Sequence, residues 1–155
     1  MPYYFGASNT QAIGLEQPMD KATLKAVIAP IVGVVVSGTL VAVLESAGHA
    51  VFPPPPGLDL SNPADLERLW DVVRPEAMIM VVIAWFFGAL SGGCVAIAIS
   101  HRVISAWIVG VIVAALGLWT TQMFPHPLWM VVSALVLPLL AVLVAKRLMR
   151  GRNAG

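Results

Sequence analysis

Four long apolar runs divide the chain, and its polar residues gather between them rather than within them. The runs cover residues 26–44, 77–99, 103–118 and 127–145, and helix can extend the third through Trp119 to Gln122. A bilayer core about 30 Å thick takes roughly 20 helical residues, with a range of about 17–25. All four runs meet or approach that length. Val and Ile are frequent, but a spanning strand alternates apolar with polar over about 9–11 residues, and these runs do not alternate. In lipid every backbone N–H and C=O must be bonded internally, so continuous runs of this kind form helices. The pattern predicts an all-α polytopic membrane protein. It is a single transmembrane domain over residues 1–155, with spans near 24–48, 76–100, 103–122 and 127–148.

Between the first two spans lies a polar loop, residues 52–75, with two parts. Pro53 to Pro56, followed by Gly57, read as a stiff polyproline II exit from span one. A docking ligand for an aromatic groove is the competing reading. Residues 61–75, SNPADLERLWDVVRP, carry helix signals. Asn62 is a cap with Pro63 at the first helical position, and Asp65 and Glu67 lie near the positive end of the helix dipole. Leu66, Leu69, Trp70 and Val73 repeat as one apolar stripe. This predicts a short amphipathic helix on the outer membrane face or over the bundle. The turn between spans two and three is only His101 and Arg102, so those helices are antiparallel neighbours.

Charge gives the orientation. Lys21, Lys25, Arg102, Lys146, Arg147, Arg150 and Arg152 fall on one side of a four-span arrangement; of the nine basic residues only Arg68 and Arg74 fall on the other. The second side also carries Asp59, Asp65, Glu67, Asp71 and Glu76. The positive-inside rule places both termini and the 2–3 turn in the cytoplasm. A signal-peptide reading of span one, with cleavage after Ser46-Ala47-Gly48, is the competitor. The 19-residue apolar core exceeds the roughly 7–15 residues of a signal peptide. The expected location is the bacterial inner (cytoplasmic) membrane. Trp107 at the inner interface, with Trp119, Phe124 and Trp129 at the outer one, occupy aromatic-belt positions.

Composition agrees and removes other classes. Hydrophobic residues make up 59% of the chain and charged residues 11%, against about 45–50% and about 25% in soluble domains. That excludes an ordinary cytosolic enzyme, a disordered tail and a coiled coil. A net charge of +1 gives no field to draw in nucleic acid. The single cysteine, Cys94, permits no internal disulfide and no CxxC site.

Small residues supply candidate helix-packing faces: Gly33 with Ser37, Gly88 with Gly92, Ala89 with Gly93, and Gly110 between Ala106 and Ala114. Such small-xxx-small spacing lets helix backbones approach. The glycines of span two lie inside an apolar helix, so they do not form a phosphate loop. Pro30 and Pro138 are expected to bend their spans.

Candidate chemistry is sparse. An ionisable residue at membrane depth is expensive and therefore a functional candidate. Glu45, at the outer end of span one, is the acid that comes closest, and His49 follows one turn later on the same helix face. The topology brings His126, in the short 3–4 loop, to the same side. Three readings of Glu45, His49 and His126 stay open. They are a structural polar cluster, a proton- or substrate-coupling site, and a divalent metal site with an open position. The spacing lacks the HExxH of zinc proteases, and GxSxG, P-loop, GxGxxG and CxxCH motifs are missing.

GHAVFPPPPGLDLSNPADL and FPHPLW together resemble a family of small four-helix bacterial inner-membrane proteins without an assigned activity. The resemblance spans roughly residues 28–145. It implies the four-helix architecture and brings no catalytic residues. Small multidrug transporters also have four helices and a glutamate in the first, but Glu45 is terminal rather than mid-span and the outer loop is much longer. The sequence points to an accessory, scaffold or assembly subunit whose partners are the lipid bilayer and a homo-oligomer or larger membrane complex. A small proton-coupled transporter using Glu45 and a metal-dependent membrane enzyme are the alternatives.

Overall fold

The computed structural model describes residues 20–53, 55–57, 59, 61–123 and 126–150, with only the backbone described for Trp70. The N-terminal tail, Pro54, Phe124 and Arg152 lie outside the described residues. So do the readings that depend on them, including the full polyproline segment.

Five helices make up the regular structure of the described residues: α1 (Lys21–Val51), α2 (Pro63–Val72), α3 (Pro75–Ser100), α4 (Val103–Met123) and α5 (Leu128–Arg150). All except α2 are long and apolar enough to cross a membrane. The fold is therefore all-α, and the chain is a multi-pass membrane protein. Helix α1 runs from 21 to 51 rather than 24 to 48; at its start the Asp20 cap draws Lys21, Ala22 and Thr23 into the helix. Asp20 accepts a hydrogen bond from the Thr23 amide at 2.7 Å, satisfying one of the amides left without a partner at a helix start.

Helix α2 begins as its sequence signals dictate, with Pro63 at the first turn and Asn62 accepting from the Ala64 amide at 3.1 Å. It buries Leu69 and exposes Glu67, Arg68 and Asp71. Val73 lies just beyond its C-terminus and packs on the cluster of Met78, Val82, Trp85, Met130 and Ala134. The loop between α1 and α3 is closed at its base by Arg74. Its guanidinium sits 5.3 Å from the centre of the Phe52 ring and 3.4 Å from the Glu76 carboxylate.

Helix α3 is the hub, in contact with α1, α4 and α5. Half of its most apolar stretch is buried, against 22% for α1, so α1 turns most of its surface outward. The α3–α4 turn is His101 and Arg102. His101 adopts a left-handed conformation (φ 55°, ψ 20°), the one such non-glycine residue among those described. Its amide donates to the Ile97 carbonyl, and the Arg102 amide donates to the Ser100 hydroxyl at 3.1 Å. Helices α1 and α5 continue through Pro30 and Pro138, both buried.

Candidate functional site

The bundle interior is built from small side chains. Ala29, Ala84, Ala89, Ala96, Ala106, Ala141 and Ala145 are completely buried. Between α1 and α3 the fit reaches the backbone. A methyl group placed on Gly33 would lie 2.8 Å from the Gly92 carbonyl oxygen, and one on Gly88 would lie 3.0 Å from the Ser37 carbonyl oxygen. A methyl on Gly92 would overlap both the Ser37 hydroxyl and the Gly33 carbonyl. The Cα–H bonds of Gly33 and Gly92 thus point at each other's carbonyl oxygens, the geometry of the weak hydrogen bonds that recur where helices touch.

Other positions define the remaining seams. Gly93 faces the methyls of Ala145 and Ala106 at ordinary contact distance. Gly110 faces Val142 and the Pro138 carbonyl. Gly117, which the spacing argument passes over, faces Ala134.

The α1–α3 seam sets the register for the polar end of the bundle. Gly33 lies against Ala96, Ser37 against Gly92, Val41 against Gly88 and Gly48 against Met80. Each turn up α1 meets a turn back along antiparallel α3. One turn above Val41 is Glu45, and one turn before Gly88 are Ala84 and Trp85. Glu45 is half-buried. Its carboxylate lies near the Trp85 indole and interacts electrostatically with His49. Trp85 is itself buried, at 6% exposure. Sequence spacing alone left Trp85 without a role. The signal that finds it is the register itself, counted from the small-residue face.

His49 is exposed, and His126 is half-buried in the connection between α4 and α5. The structure joins Glu45 to Trp85 and His49. The metal site expected at Glu45, His49 and His126 is not formed: among the described residues no three His, Cys, Asp or Glu side chains make a metal-holding group. The physical reason lies in α1. Glu45 turns into the α1–α3 interface toward an indole, while His49, one turn on, remains at the surface.

A multi-pass bundle with a backbone-tight α1–α3 seam and a half-buried carboxylate at its end is therefore the class that fold and site define. No family model, curated protein or solved structure matches the chain.

Proposed function

We propose that this protein is a structural subunit of the bacterial inner membrane: an accessory, scaffold or assembly component that presents a rigid four-helix bundle to a homo-oligomer or larger membrane complex. The observation that carries this reading is the α1–α3 seam. Alternating-access carriers place polar sites near the bilayer midplane and rock one part of the fold against another. Here the middle of the bundle is sealed by Gly33, Ser37, Gly88 and Gly92 in backbone contact. A close-packed seam of this kind has low compressibility and holds its two helices in one arrangement. The PPPPGLD and PHPLW likeness to small four-helix inner-membrane proteins supports the architecture of that bundle and carries no role of its own. Both termini on the cytoplasmic side follow from the charge asymmetry. An impermeant thiol reagent applied from the periplasm should label a Cys at Ser61 and miss one at Lys21.

The second reading, a proton-coupled carrier, is favoured by one observation: Glu45 is an ionisable group half-buried within a spanning helix. Purification in mild detergent with measurement of the assembled mass, beside proton flux in proteoliposomes, separates the two. A defined oligomer or stoichiometric complex without flux supports the scaffold. A flux that Glu45→Gln abolishes would establish the carrier.

A further inference from the structure

The basic end of the bundle holds more than a topology signal. A pocket of about 330 Å³ opens between the start of α1 and the α3–α4 turn, lined by Lys21, Lys25, Ser100, His101 and Arg102 among others. That volume is at the lower end of small-ligand sites, roughly 300–1,000 Å³. Positive-inside orientation needs basic residues on one side of the membrane; it does not need them to converge on one cavity from two separate elements.

Their placement is also electrostatically unfavourable without a counter-charge. Lys21 and Lys25 are four apart on one helix face, a like-charge pair. They sit in the first turns of α1, where the helix dipole is positive, and no acid occupies the first turn. Arg102 is brought in from the other side. Asp20 is the nearby carboxylate, within electrostatic reach of Arg102, but one of its oxygens is committed to the Thr23 amide. Three exposed cations thus share one nearby carboxylate. His101, at the same pocket, holds a left-handed backbone where glycine is the usual residue.

Below the pocket the surface turns apolar. Leu24 and Ile28 on α1 are 42% and 41% exposed, and Ile104 and Ile108 on α4 are 59% and 41% exposed. Ile28 shares the helix face of Lys21 and Lys25. A charged head over exposed aliphatic side chains is the arrangement that a phospholipid satisfies.

We propose that this pocket binds a phosphate-bearing anion, held by Lys21, Lys25 and Arg102 with His101 and Ser100 at its wall. The shared chemistry is a phosphate ester or phosphate ion. An anionic phospholipid headgroup and free inorganic phosphate are its two sources. The site is independent of whether the bundle is a scaffold or a carrier.

The test uses the full chain, purified and delipidated in a neutral maltoside detergent. Its thermal midpoint is measured against added phosphatidylglycerol, phosphatidylcholine or inorganic phosphate. Phosphatidylglycerol should raise the midpoint while phosphatidylcholine does not. In K25Q/R102Q the apparent affinity should be about 30-fold weaker, the effect of removing two basic contacts. The control R147Q/R150Q, at the same end of the bundle but outside the pocket, should respond as the wild type does. An equal rise with inorganic phosphate alone assigns the site to the free ion and also supports the proposal. No response to either anion, a response kept in K25Q/R102Q, or one lost only in R147Q/R150Q overturns it. If K25Q/R102Q does not fold, native mass spectrometry of the wild type decides. One retained phosphatidylglycerol or phosphate per chain, with no retained phosphatidylcholine, supports the pocket. Equal retention of both lipids contradicts it.

Discussion

Gly92 touches the facing helix with its backbone, so any side chain there must push α1 away. Gly92→Leu should separate α1 from α3 and lower stability by about 1–3 kcal/mol or more, the usual range for overpacking a tight core. The thermal midpoint in detergent reads this directly. Gly38, on the same helix as Gly33, has nothing within 4 Å of where a methyl would sit, so Gly38→Ala should leave the midpoint unchanged or raised. Ser37 adds a contrast. Its hydroxyl is buried and has no hydrogen-bond partner among the described residues, so Ser37→Ala should be neutral or stabilising. Glu45 makes a different prediction. Glu45→Gln keeps an acceptor for the Trp85 indole and should leave stability nearly intact. Glu45→Leu strands that buried N–H and should cost roughly 1–3 kcal/mol. Small-xxx-small spacing points to Gly33, Ser37, Gly88 and Gly92 as close-approach positions. It cannot say which faces which, since register is a property of two helices together. Spacing gives Trp85, deep in span two, no role for that reason, and sharing one end of the bundle does not make Glu45, His49 and His126 a metal-holding group among the described residues.

Helix identities were legible because each obeys a local rule. Asn62-Pro63 starts α2, and a two-residue turn separates α3 from α4. The start of α1 was less so: its first turn is polar, and the Asp20 cap rather than hydropathy decides where it begins. That cap gives a pH prediction. Hydrogen bonds from the Thr23 side chain and amide, then the Arg102 charge, hold the Asp20 carboxyl below its ordinary range. A carboxyl depressed in the folded state favours folding above its unfolded pKa, and that contribution disappears as pH falls through the folded value. Nuclear magnetic resonance should find Asp20 titrating below a free aspartate, with the Thr23 amide losing protection in the same acid window. Arg102→Gln should move both midpoints upward. An Asp20 midpoint unchanged by that substitution would show that Arg102 has no electrostatic hold on the cap.

At the scale of the molecule, α3 is a hub clamped on three sides, and α1 is fixed to it by backbone contact while offering most of its surface outward. That asymmetry suits a subunit that holds one shape and presents another face to lipid or a partner. The central claim is that the bundle has one arrangement. Pulsed electron spin resonance between labels at Ala50 on α1 and Met123 on α4, both exposed at the end of the bundle opposite the α3–α4 turn, in a Cys94→Ala background and in lipid at pH 5 and pH 8, tests it most directly. A single narrow distance distribution, the same at both pH values, is the predicted result. A second population that appears with pH and vanishes in Glu45→Gln would contradict the rigid scaffold and make the bundle a proton-driven switch.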